Sequence, residues 1–163
     1  MKKTIIIIIL LLYIASIVIV NFFGLEIKIF DGVTYVQSIE ISNVKLLHEV
    51  NIDITPKHYQ GFDEAWYEFE FVPNADGIKY TKENYSEILN PNAIFIDCAV
   101  YPHDADEPSV DFLYDTNNHK VFFNESKRTF VFLQDNVTLK ITIKSQDGSN
   151  KTTSLYLYCK KAK

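Results

Sequence analysis

Arginine is nearly absent from this chain: Arg128 is the only one among 16 basic residues. A single guanidinium rules out the paired planar clamps that hold phosphates and carboxylates bidentately. Glycine is scarce as well. Five glycines leave no glycine-rich loop to cradle a phosphate, and no Gly-x-Ser-x-Gly nucleophile elbow occurs. The four histidines, His48, His58, His103 and His119, are scattered without HExxH or any other zinc spacing. No cofactor is expected from these absences, and the chain reads as a non-enzyme. Internal repeats, low-complexity tracts and interdomain linkers are also missing.

The chain's strongest positive feature is an uncharged run from Thr4 to Phe23, opening with five isoleucines and three leucines. A helix of about 20 apolar residues matches the roughly 30 Å hydrocarbon thickness of a bilayer. Lys2 and Lys3 precede the run, and the first charges after it are Glu26 and Lys28. Lysines stay on the cytoplasmic side, so the N-terminus is expected inside and the remainder outside. The competing reading is a cleavable export signal, which calls for an apolar stretch of roughly 7–15 residues and small residues at alternate positions before the cut. Here Ala15 and Ser16 are adjacent and mid-run, and Phe22 spoils a site ending at Gly24. The expected organisation is therefore residues 1–24 as cytoplasmic stub and transmembrane anchor, and residues 25–163 as one extracytoplasmic domain. The span lacks a small-xxx-small motif for helix pairing, so its partner is the lipid bilayer through residues 4–23.

Beyond residue 24 the chain carries 14 basic against 21 acidic residues, a net charge of −7. Such a domain is repelled by polyanions, which excludes nucleic acid as a partner. Enrichment in Ile, Asn, Lys, Tyr and Phe, whose codons are AT-rich, points to a low-GC bacterial source. The four Asn-x-Ser/Thr matches, at Asn84, Asn124, Asn136 and Asn150, are then chance matches in an Asn-rich chain.

Period-two alternation dominates after the run. Leu25–Phe30, Asp31-Gly32 and Val33–Val36 read as a hairpin, because Asp-Gly supplies positive φ at a tight turn. Further strands are predicted over Ile39–Val44, Val50–Thr55, Ala65–Val72, Ala93–Tyr101, Val110–Tyr114, Lys120–Phe123, Thr129–Leu133, Val137–Lys144 and Thr152–Lys160. Turns are predicted at Asn74–Gly77, Asn117-Asn118 and Gln146–Gly148, and a short helix capped by Thr81 and stopped by Asn90-Pro91. Short strands with polar outer faces point to an all-β, antiparallel β-sandwich, immunoglobulin-like in the loose sense. The stricter immunoglobulin pattern places a Trp between two cysteines, whereas Trp66 precedes both here.

Three groups of residues carry candidate chemistry. Trp66, Glu68 and Glu70 share the outward side of one strand, and an exposed indole beside carboxylates can stack on a sugar and hold its hydroxyls. The alternative is that a loop or helix covers Trp66, as tryptophans usually are covered. Asp104, Asp106, Glu107 and Asp111 form the densest oxygen-ligand cluster, the donor set a calcium ion takes; the alternative is a solvated connection flanked by Pro102 and Pro108. Cys98 and Cys159 both fall on inward faces. A disulfide, worth about 4 kcal/mol for a loop of about 60 residues in the chain-entropy model, and two separate buried thiols stay equally open.

These readings lead to a membrane-anchored extracytoplasmic interaction or structural module of a bacterial envelope. Its expected partner is another envelope protein or a wall polymer. One alternative is a wall-carbohydrate-binding module using the Trp66 face. The other is an envelope enzyme whose site forms only in three dimensions.

Overall fold

The computed structural model describes residues 32–47, 52–74, 76–85, 90–117 and 119–162. The run at 4–23 and most of the first hairpin lie outside these residues. Among the described residues no helix is long and apolar enough to cross a membrane. The chain divides into two units, Met1–Val33 and Thr34–Lys163. Of the first unit only Gly32 and Val33 are described, Gly32 with the positive φ of 77° that its place after Asp31 predicts.

The second unit is all-β, with nine strands and no helix among the described residues. They are β1 (Ser38–Leu47), β2 (Ile52–Asp53), β3 (Ala65–Glu70), β4 (Ala93–Tyr101), β5 (Val110–Tyr114), β6 (Val121–Asn124), β7 (Thr129–Phe132), β8 (Val137–Ser145) and β9 (Thr152–Lys160). Two sheets result, one ordered β2-β1-β4-β7-β6 and one ordered β3-β9-β8-β5. Alternation explains the elements directly. In β8, Val137, Leu139, Ile141 and Ile143 are buried, while Thr138 and Lys140 face outward, exposed.

β1 shows how a register shift serves the core. Its pairing with β4 slips between Ile41 and Asn43, so the inward set changes parity from Ile39 and Ile41 to Val44 and Leu46, all of which meet the core. Without that bulge one half of the strand would turn its apolar side chains to water.

Both sheets contribute to a single core. Phe130 of β7, fully buried, meets Tyr114 of β5 at 5.3 Å, Phe112 of β5 at 6.1 Å and Phe123 of β6 at 4.6 Å between ring centroids. Phe132 of β7 meets Phe69 of β3 edge-on at 5.0 Å. These rings bridge the two sheets with the offset and edge-to-face geometry that aromatic quadrupoles favour. Asn92, fully buried, ties the sheets together by polar bonds. Its Oδ1 accepts from the Val72 N–H (2.8 Å) and its Nδ2 donates to the Val72 carbonyl (2.9 Å), just past β3. Its own carbonyl accepts from the Phe132 N–H on β7 (3.1 Å).

The structure corrects three expectations. The second sheet is mixed, because β3 pairs with β9 in parallel; side-chain alternation has the same period in either orientation, so local sequence cannot tell them apart. Val33–Val36 forms no strand. Instead Thr34 and Val36 are fastened by the side chains of Asp106 and Asp147. The segment after Thr81 makes a turn at Lys82–Asn84, with Thr81 and Asn84 exchanging backbone-to-side-chain bonds; the rest of the expected helix, 86–89, lies outside the described residues.

Phe130→Ala is expected to lower stability by about 3–5 kcal/mol through lost contacts and a residual cavity, whereas Phe62→Ala, at a position 47% exposed, should cost about 1 kcal/mol or less. Urea unfolding of the two variants checks this; equal midpoints would show that the cross-sheet rings do not hold the fold.

Candidate functional site

The alternation in β3 buries Tyr67 and Phe69 and sends Trp66, Glu68 and Glu70 to the opposite face, as the sequence predicts. The parallel register then sets each against a β9 residue: Trp66 against Tyr156, Glu68 against Tyr158, Glu70 against Lys160. Trp66 and Tyr156 stack with ring centroids 4.4 Å apart and planes 12° from parallel. Tyr59 and Phe62, from the loop preceding β3, stand edge-on to Trp66 at 5.5 and 5.3 Å. Phe62 also meets Tyr156 at 5.9 Å. The indole N–H is buried and finds no acceptor among the described residues.

A loop therefore covers Trp66, and one face of its ring is taken by Tyr156. The rings that meet solvent are Tyr59 (42% exposed) and Phe62 (47% exposed). The loop is pinned in place. Lys57 and Trp66 exchange two backbone hydrogen bonds, 2.8 and 2.9 Å, and the Phe62 N–H donates to the Tyr59 carbonyl at 3.1 Å. These bonds hold the aromatic pair over the strand.

Charged groups brace the same face. Glu68, with a side chain only 6% exposed, accepts from Lys57 at 2.5 Å, from Lys160, and from the Tyr59 hydroxyl. Its burial raises its pKa, but the hydrogen bonds from Lys160, Lys57 and Tyr59 outweigh that and bring the carboxyl down to about 2. The bond to Glu68 raises the pKa of Lys57 and of the Tyr59 hydroxyl. Lys140 pairs with Glu64 at 2.5 Å and lies over the Tyr156 ring at 5.4 Å. Glu70 is exposed at the end of the strand. Glu68 is thus held by three partners and works as a brace for the aromatic loop.

The other sequence candidates separate. Asp106 accepts from the Thr34 N–H at 2.5 Å and its own N–H donates to the Thr34 carbonyl at 3.0 Å. Asp111, on β5, accepts from Gln146 Nε2 at 2.5 Å. Asp104 and Glu107 are exposed in the same loop. Among the described residues no three His, Cys, Asp or Glu side chains converge as a metal site. Cys98 lies on β4 in one sheet and Cys159 on β9 in the other, and both are free thiols. Burial raises both, with Cys159 pushed up to about 12 by burial and by Asp135, which keeps each protonated and unreactive near neutrality.

Sequence reading missed Tyr59, Phe62, Tyr156 and Lys57 as partners of Trp66, and Lys140 as a partner of Tyr156. The signal for Tyr156 was present: in Leu155-Tyr156-Leu157-Tyr158, alternation that buries the leucines turns both tyrosines outward. Tyr59 and Phe62 lie in a loop, where no periodicity marks them. Comparison with known proteins finds no matching family model, no similar curated protein and no similar solved structure.

Trp66→Ala is expected to cost about 2 kcal/mol, since it removes the ring on which Tyr59, Phe62 and Tyr156 pack; an unchanged urea midpoint would contradict this. Because Glu68 titrates lower folded than at its ordinary 4.5, its stabilisation is fully present above that value and is lost as pH falls towards about 2. The stability gap between the native chain and Glu68→Gln should stay constant from pH 7 to about 5 and close below it. A gap that widened with acid would carry the wrong sign.

Proposed function

We propose that this chain is a membrane-tethered, extracytoplasmic docking module whose outer aromatic face binds another envelope protein. In this reading residues 4–23 anchor it, and the two-sheet unit is an immunoglobulin-like β-sandwich in the loose sense. The observation that carries the proposal is the exposed pair Tyr59 and Phe62, set on the Trp66–Tyr156 stack. Aromatic side chains held rigid before binding lose little entropy on binding and dominate interface energetics. The bracing by Glu68, Lys57, Lys160 and Lys140 supplies that rigidity. Paired charges around an apolar centre also give the polar rim of a protein interface.

A second reading is docking on wall polysaccharide, favoured by the same exposed rings, since an aromatic face can stack on a sugar. It shifts the contact from Trp66, which is covered, to Tyr59 and Phe62.

A photoreactive phenylalanine analogue at position 62 of the full-length chain, with position 113 as a control on an exposed leucine, tests the proposal in intact cells. Expected is a discrete adduct with a membrane or wall protein at 62 that is absent at 113 and lost with Tyr59→Ser. Adducts solely with cytosolic proteins, or none at 62, would overturn it. Retention on purified wall that Tyr59→Ser/Phe62→Ser abolishes, without a protein adduct, would move the function to the second reading.

A further inference from the structure

Past the ends of β3 and β9 the structure opens a cleft of about 820 Å³, inside the range of about 300–1,000 Å³ typical of small-molecule sites. Its apolar lining includes Phe71, Ile78, Tyr80 and Leu133. Phe71 and Tyr80 pack edge-on at 6.1 Å, and Ile78 is 58% exposed, the most exposed large apolar side chain described. Three lysines, Lys79, Lys82 and Lys161, border the same hollow.

Several bonds build this wall from the chain itself. The Asn92 side chain holds Val72, between the lining residues Phe71 and Pro73. The Gly77 N–H donates to the Asn74 carbonyl at 3.0 Å, with Gly77 at a φ of 68°. Asn84 Nδ2 donates to the Lys79 carbonyl at 2.8 Å and Thr81 N–H to Asn84 Oδ1 at 2.6 Å. The backbone that carries Lys79 and Lys82 is therefore tied on both sides.

The charge there runs against the composition. The domain is acidic, and three of its other lysines, Lys57, Lys140 and Lys160, are ion-paired. Lys79, Lys82 and Lys161 form no ion pair among the described residues. Lys82 lies 5.8 Å over the Phe122 ring. The carboxylates at the rim are Glu83 and Asp135, and Glu83 is hydrogen-bonded to the Thr81 hydroxyl, which lowers its pKa. The Lys79 and Lys161 ammonium groups, beside an apolar hollow, leave a place for an anion that also carries apolar bulk. Lysine suits a phosphate as a point charge where no arginine fork is at hand.

We propose that this cleft binds a small amphiphilic anion, an apolar body carrying a phosphate or carboxylate head, with Lys79 and Lys161 on the head and Ile78 and Phe71 on the body. The proposal is independent of the aromatic docking face, because it uses other residues; its test rests on the membrane reading only in that residues 4–23 hold the chain in the disc.

The full-length chain, held in phosphatidylcholine nanodiscs, is titrated with 2-naphthyl phosphate by calorimetry, against empty discs. Expected is saturable one-to-one binding, with inorganic phosphate and 2-naphthol each at least tenfold weaker. Lys79→Gln/Lys161→Gln, at two exposed positions, should weaken the phosphate ester at least tenfold and leave 2-naphthol unchanged, as loss of charge-assisted bonds requires. Ile78→Ser should weaken both aromatic compounds. Phosphatidylglycerol discs separate the two sources of such an anion. A lipid headgroup would displace the ester there and a soluble ligand would not, and either result keeps the site. No binding of the ester by the native chain, equal affinity in the double variant, or 2-naphthol binding as tightly as the ester would overturn the proposal.

Discussion

The parallel pairing of β3 with β9 is the constraint on which both surface features depend. It joins two strands separated by most of the domain's length. Its register puts Trp66 beside Tyr156 and brings Glu68 within reach of Lys160. Where the pair ends, the Phe71 N–H donates to the Lys160 carbonyl at 2.8 Å. That last bond sets Phe71 next to Lys161 at the mouth of the cleft. A one-residue slip would send Trp66 and Glu68 into the core and bring Tyr67 and Phe69 out. The buried alternation of Tyr67 and Phe69 forbids it.

Burial and charge cooperate unusually closely on the outer face of this sheet. A carboxylate taken out of water beside aromatic rings is unfavourable alone. Two ammonium groups and a phenol reverse that at Glu68, so the carboxyl stays charged far into acid. In return Glu68 fixes the Tyr59 ring, and the Tyr59 loop covers Trp66. The face is thus fastened by charge and apolar at its centre, the combination on which the proposed docking role rests. The acidic loop at 104–107 uses the same chemistry for another end: the Asp106 carboxylate binds the Thr34 backbone, and Asp147 does likewise for Val36. Both carboxylates fasten the segment through which the chain enters the sheets.

Inheritance of strand positions from the sequence was close. β4, β5 and β9 match the alternation residue for residue, and the inward sets of β3 and β8 follow from period two alone. Hydrophobic alternation is a local quantity, and burying one face of a strand is the strongest local demand the chain makes. The grouping of Trp66, Glu68 and Glu70 on one outward face was legible for the same reason. Their partners were not. Tyr59 and Phe62 sit on a loop, Tyr156 is 90 residues from Trp66, and no periodicity links them. Likewise Asp104, Asp106, Glu107 and Asp111 are close in sequence, yet Asp106 and Asp111 are bonded to residues 72 and 35 positions away.

What the sequence by itself determined is the all-β character, the position of nearly every strand and which side chains each strand buries, because these follow from alternation between neighbours along the chain. Only the tertiary structure decided that β3 runs parallel to β9, that Trp66 lies under a loop while Tyr59 and Phe62 meet solvent, and that three lysines gather round one apolar cleft. The reason is that orientation, cover and convergence are properties of segments far apart in sequence, selected by the packing of both sheets on a common core.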